Sequence, residues 1–172
     1  MEASIDKVAR HDPAVTQFCV LYRGVTEEQM VRLIDALKPN QYVRKPDFFN
    51  APHTPAVCRE LASLFRVDKV IQYVRLPQGM INNDFALIAE SLHDNTAVQT
   101  LDLNDCNIDG RQGGEIIWLL LLNNQSITKL DLSCNFRLGS EGTARVAQAL
   151  RSDRCVLKEL LLWKCGIGNE GF

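Results

Sequence analysis

The chain has 172 residues, enough for one domain of ordinary size with a sizeable core. Apolar residues make up 46% and charged residues 23%, a balance that excludes a disordered chain. Its 19 Lys and Arg face 21 Asp and Glu, and the resulting formal charge of −2 argues against nucleic acid or an anionic membrane as the partner.

Residues 1–14 show no apolar core followed by small residues, so they do not read as a secretory signal. They predict a short capping helix, Ile5 to Arg10. From Val15 onward, short alternating strands and amphipathic helices take turns. Helices are predicted at Thr26–Leu37, Pro55–Phe65, Asn83–Leu92, Gly114–Leu122 and Ser140–Leu150, with Thr26 and Gln29 at capping-box spacing. The longest apolar run, Ile116 to Leu122, holds seven residues, far short of the roughly 20 that a membrane span needs. A cytoplasmic location is the expectation. The six cysteines then stay reduced, since none forms a CxxC pair or has a His at ligand spacing.

Laid on itself, the chain repeats. The segments "VQTLDLNDCNID", "ITKLDLSCNFRLG" and "LKELLLWKCGIG" match one another from Val98, Ile127 and Leu157. Each has apolar residues three and five positions after the first, then Asn or Cys at the ninth. Looser copies begin at Val15, Val43 and Ile71, so successive starts are 28, 28, 27, 29 and 30 residues apart. One such unit cannot cover its own apolar side, and copies must stack. Pro46 takes an inward position in the second repeat; with no N–H to donate, it predicts a short or bent strand there.

The pattern LxxLxLxxN/CxI resembles the leucine-rich repeat, and its period points to the ribonuclease-inhibitor-like subfamily. The resemblance implies an α/β solenoid, a horseshoe with a concave parallel sheet and convex helices. It would hold about six repeats of 27–30 residues across 15–172. It also implies that the ninth side chain turns inward onto loop backbone, a structural role for Cys106, Asn135 and Cys165. Cys19 and Cys134 fall on outward positions. The last repeat stops at "GIGNEGF" before its helix, and the expectation is the front part of a longer protein.

Outward strand positions form columns. The third is Gln17, Lys45, Tyr73, Thr100, Lys129 and Glu159; the fifth is Cys19, Asp47, Arg75, Asp102, Asp131 and Leu161; the seventh is Leu21, Phe49, Pro77, Asn104, Ser133 and Trp163. Exposed aromatic residues and Arg carry interface energy. The candidate partner-binding set is therefore Phe49, Tyr73, Arg75, Asp102, Asp131, Leu161 and Trp163, although Trp163 has packing on a following repeat as an alternative. Asp102 and Asp131, with Asp105 near, read either as a cation or paired-carboxylate site or as solvated acids balanced by Lys129 and bonded to Thr100. The lack of a fourth ligand favours the second.

Aligned on Leu37, Phe65, Leu92, Leu121 and Leu150, the helices isolate an oddity. Ile117 shares a core column, and Trp118 stands where the others mostly carry small residues. Leu119 and Leu122 stand where every other helix is polar, facing solvent. Trp118, Leu119 and Leu122 thus make a possible second, convex interface for another domain, a partner or a second copy. Self-association is expected through this helix or through the open C-terminal end, if at all.

No chemistry converges. "RLGSEG" lacks the Lys-Ser/Thr of a phosphate loop, and His11, His53 and His93 lie far apart. No catalytic, cofactor-binding or metal-binding residue is expected. The expected function is a non-enzymatic scaffold that binds a protein on the concave face. The alternatives are a GTPase activator, using Arg111 and Arg137 in loops of successive repeats, and a structural module of a cytoskeletal assembly.

Overall fold

The computed structural model describes residues 1–20 and 24–168. Its strands are β1 Gln17–Cys19, β2 Lys45–Asp47, β3 Tyr73–Arg75, β4 Thr100–Asp102, β5 Lys129–Asp131 and β6 Glu159–Leu161. Helix α1, Glu2–Ala9, precedes them; α2 Glu27–Leu37, α3 Pro55–Val67, α4 Asn82–Leu92, α5 Gly110–Asn123 and α6 Gly139–Leu150 alternate with them. All six strands form one parallel sheet in chain order, and each helix packs on the next along the chain. The result is two layers with one core between them.

The alternation of each strand decides which side chains enter that core. Val74, Leu76, Leu101, Leu103, Leu130 and Leu132 are all 0% exposed. The helices answer with Leu61, Phe65, Phe85, Ile88 and Ile117, also buried. The capping box forms as expected: Gln29 N–H donates to Thr26 Oγ1 at 3.2 Å, and Thr26 N–H donates to Gln29 Oε1 at 3.1 Å. The ninth-position side chains are buried too. Cys106 Sγ donates to Pro77 O at 3.4 Å, Cys165 Sγ to Leu132 O at 3.1 Å, and Asn135 Nδ2 to Leu103 O at 2.9 Å. Burial pushes the Cys165 thiol up to about 11 and the Cys106 thiol well above its ordinary value, so both are inert.

Several boundaries differ from expectation. Helix α1 starts at Glu2, where an acid suits the helix N-terminus and Arg32 lies 3.1 Å from its carboxylate. Helix α5 begins at Gly110, not Gly114, and so carries Gly113 and Gly114 inside it. The reason is close packing: a Cβ on Gly114 would stand 2.7 Å from Gly142 Cα on α6. These glycines are contact points, not stops. Leu150 is not the last buried residue of its helix; it is 45% exposed and Ala149 is buried in its place. Among the described residues, α6 has only α5 beside it.

Strand β2 is as long as the others despite Pro46. The effect of the missing N–H appears in the ladder instead. The β2–β3 pairing keeps one registered pair, Asp47 with Arg75, where β3–β4 has three.

A second polar ladder runs between the helices and the strands. Three residues before each of the repeat-start residues Val43, Val98 and Ile127 stands a buried Asn, at 40, 95 and 124. Its Oδ1 accepts the N–H groups leading into the strand, and its Nδ2 donates backward, to Val8 O of α1 from Asn40 and to the preceding repeat from Asn95 and Asn124. Asn95 reaches Phe65 O at 2.8 Å and Asp68 O at 3.1 Å; Asn124 reaches Leu92 O at 2.6 Å and Asn95 O at 2.9 Å. In the third repeat the residue is Asp68. It accepts the N–H groups of Val70 and Ile71 like its counterparts, at 3.2 and 2.9 Å. As a carboxylate it has nothing to donate backward. Burial raises its pKa above the ordinary carboxylate range, against the two N–H bonds that lower it.

Candidate functional site

The register of the sheet assembles the outward columns. Gln17 pairs with Lys45, Tyr73 with Thr100 and Thr100 with Lys129; Asp47 pairs with Arg75, Arg75 with Asp102, and Asp102 with Asp131. Leu161 continues the second row from Asp131. Of the seventh column, Leu21 lies outside the described residues.

Four of the candidate residues close into one cluster. The Arg75 guanidinium lies 3.8 Å from the centroid of the Phe49 ring, and its Nη2 donates to Asn104 Oδ1 at 3.0 Å. Its Nε stands 3.6 Å from Asp102 Oδ2, too far for a hydrogen bond, and is buried with no partner. That oxygen instead accepts the Tyr73 hydroxyl at 2.9 Å. Burial and then the Asp102 charge raise the pKa of Tyr73, so its hydroxyl remains a neutral donor. Side chains from three successive repeats are thus fixed against one another.

The other end of the face is more open. Leu161 is 37% exposed and Trp163 is 64% exposed, with Lys164 Nζ 4.1 Å from the Trp163 ring centroid. Between these two ends lies Asp131. The structure therefore gathers Phe49, Tyr73, Arg75 and Asp102 into one contact network. It leaves Leu161 and Trp163 as a separate, apolar end.

The aspartates have a local task that their spacing alone did not disclose. Asp47, Asp102 and Asp131 each accept the N–H two residues ahead, of Phe49, Asn104 and Ser133, at 2.9, 2.9 and 2.8 Å. They shape the turn that ends each strand. Lys129 does not balance them: it pairs with Glu159 at 2.6 Å, because that acid shares its own column on the next strand. The balancing cation for Asp102 is Arg75. Among the described residues, no group of three His, Cys, Asp or Glu side chains could hold a metal.

Upstream of the Arg75 cluster the face hollows into a cavity of about 650 Å³, running from β1 to β4. Gln17, Lys45, Gln72, Tyr73, Gln99 and Thr100 are among its walls. Sequence reading missed this hollow because Gln72 and Gln99 precede their strands, outside the columns it compared. Cys19 also faces it, with a thiol pushed up to about 11 by burial and then by Asp47.

On the convex side, Trp118 is half-buried, and the Arg145 guanidinium lies 5.8 Å from its ring centroid and 2.7 Å from Glu115. Leu119 is 42% exposed. Leu122 does not face solvent to the same degree; it is half-buried, one helical turn beyond Leu119. Arg111 sits in the first turn of α5, not in a loop, since that helix starts early. Arg137 is in a loop and lies 3.3 Å from Asp109.

A single parallel sheet in chain order, one helix per strand and an inward Leu ladder define a leucine-rich-repeat-type solenoid. Comparisons with solved structures agree. The tropomodulin C-terminal domain of Caenorhabditis elegans superposes with a TM-score of 0.71 at 16% identity, covering 87% of this chain and 90% of that one. The leiomodin-1 actin-binding site 2 gives 0.70 at 20% identity, over 87% of this chain and 86% of that one. Among curated sequences, the chain is 26% identical over 164 residues to human NACHT, LRR and PYD domains-containing protein 5, covering 94% of this chain. It is 30% identical over 131 residues to human NACHT, LRR and PYD domains-containing protein 2, covering 75% of this chain. The chain spans only 14% and 12% of the length of those two relatives. No family model matches the chain. No helix among the described residues is long and apolar enough to cross a membrane.

Proposed function

We propose that this chain is a non-enzymatic recognition module, of ribonuclease-inhibitor-like type, that binds a protein partner on its concave face. Residues 1–14 act as the cap of the array and the repeats from Val15 onward as the binding unit of a cytoplasmic protein. The observation that carries this reading is the Phe49–Arg75–Asp102–Tyr73 cluster. Its side chains are ordered against one another before a partner arrives, so little further ordering entropy is lost on binding. Asp131, Leu161 and Trp163 extend the contact toward β6, and Trp163 offers a large rigid surface of the kind that anchors interfaces.

Affinity capture with the intact protein, compared with a Tyr73→Ala, Arg75→Ala, Trp163→Ala variant, tests this. The variant is expected to lose the specific partner. Identical captured sets would remove the concave face from the function.

A second reading has one observation in its favour. Both solved relatives above share the fold, and one is named as an actin-binding site of leiomodin-1. A cytoskeletal role predicts that the chain sediments with actin filaments or alters their elongation. An absence of both effects ends that reading.

A further inference from the structure

We infer that the upstream hollow of the concave face, bridging β1 to β4, seats an extended segment of the partner protein that carries a carboxylate. This rests on the concave-face reading and assigns its chemistry. The middle of the face is largely closed on itself, since Tyr73 donates to Asp102 and Arg75 donates to Asn104 and stacks on Phe49. The upstream half has the opposite character. Among the described residues, the side-chain amides of Gln17, Gln72 and Gln99 and the ammonium of Lys45 make no hydrogen bond or ion pair, although all four are exposed around a cavity of about 650 Å³.

An amide side chain offers a donor and an acceptor together, the complement of a peptide group. Gln72 and Gln99 precede paired strands, and Thr100 N–H donates to Gln72 O, so the two residues sit side by side on neighbouring strands. Three strand spacings of about 4.8 Å separate β1 from β4. At about 3.3 Å per residue, that length takes roughly four residues of extended chain. The tyrosine ring of Tyr73 and the side of Phe18 give this stretch apolar contact.

The charge around the hollow selects the sign of the occupant. Lys45 lines it and Arg44 is exposed beside it, both without an acid in salt-bridge range among the described residues. The one acid in the wall, Asp47, accepts the Phe49 N–H and has no cation in salt-bridge range among the described residues, but Lys45 and Arg44 outnumber it. The net charge around the hollow is positive. A partner segment with Asp or Glu over Lys45 and uncharged residues across the glutamines fits that surface.

A displayed library of short random peptides, selected on the immobilised full chain, provides the probe. Enriched peptides, resynthesised with a fluorophore, are titrated against the wild type, Lys45→Glu, the pair Gln72→Ala/Gln99→Ala, and the pair Leu161→Ala/Trp163→Ala. All of these positions are exposed or nearly so, and the folded state is checked by thermal melting. The expected result is acidic peptides that weaken about tenfold or more with Lys45→Glu and with the glutamine pair. Replacing the peptide acid by Lys should restore binding to Lys45→Glu alone, and added salt should weaken the wild-type complex. Basic peptides, no enrichment, or acidic peptides indifferent to Lys45→Glu would overturn the assignment. If the winners depend instead on Leu161 and Trp163, the hollow is wrong while concave recognition stands. Winners indifferent to every concave substitution would remove both.

Discussion

At Arg75, contacts from the two flanking repeats converge on one guanidinium: the Phe49 ring below, Asp102 beside it and Asn104 beyond. Lysine reproduces neither the stacking nor the forked donor geometry. Arg75→Lys is therefore expected to lower stability by about 1–2 kcal/mol in urea unfolding, mostly through the half-buried carboxylate it leaves under-paired. Tyr73→Phe should cost less, below about 1 kcal/mol. Removing the hydroxyl frees Asp102 Oδ2 for the Arg75 Nε that now lies 3.6 Å away. A Tyr73→Phe loss equal to that of Arg75→Lys would contradict this account of the shared oxygen. The columns of outward residues were legible from strand alternation alone. The closure of Phe49 onto Arg75 was not, because it links a seventh position to a fifth position on the neighbouring strand. Column-by-column comparison treats these as separate rows.

At the scale of elements, α5 shows why local signals mislead. Paired glycines ordinarily weaken a helix, yet α5 carries Gly113 and Gly114 inside it and starts four residues before the predicted Gly114. In the folded chain the backbone of α6 occupies the space a side chain would need. Gly114→Ala gains about 1 kcal/mol of helix propensity but meets an overpacking cost of about 1–3 kcal/mol, so a net loss is expected on chemical denaturation. The long apolar run in the same helix is mixed: Ile117 and Leu121 are buried and Leu119 is exposed, as comparison with the other helices implied, but Leu122 is half-buried. Changing Leu119 and Leu122 together to Glu should leave stability within about 0.5–1 kcal/mol, since neither is fully buried. If the convex surface is a contact, that variant sediments as a monomer or loses a captured partner where the wild type does not. Unchanged sedimentation and unchanged capture would end the second interface.

The asparagine ladder was equally present in the spacing, three residues before Val43, Val98 and Ile127, but polar loop residues drew no comparison. Asp68 breaks it between the second and third repeats, and that break has a titration. Its folded pKa is raised above the unfolded value. The neutral form is thus favoured by folding, and that contribution is complete below the unfolded pKa and lost as pH rises through the folded one. Asp68→Asn supplies the missing donor at every pH. It should stabilise the chain by about 1 kcal/mol at neutral pH, and by less in acid, where the wild-type carboxyl is protonated. A gain that grows toward low pH would refute the sign.

For the whole molecule, strand order equals chain order, so every repeat is held only by its neighbours. That is why self-comparison revealed the architecture so fully: each junction repeats the same few contacts. Irregular junctions are what the average hides. Two irregularities coincide between the second and third repeats, the single registered pair beside Pro46 and the ladder position where Asp68 has no N–H to give. Repeats in series all bear the same tension when a chain is pulled from its ends, and the junction with the fewest bonds across it yields first. Stretched between two anchors in an optical trap, this chain should first part between β2 and β3, near its middle third rather than at a frayed terminus. Asp68→Asn should raise that first rupture force. The concave hollow lies across the same junction, so a segment seated there would also act as a splint against extension.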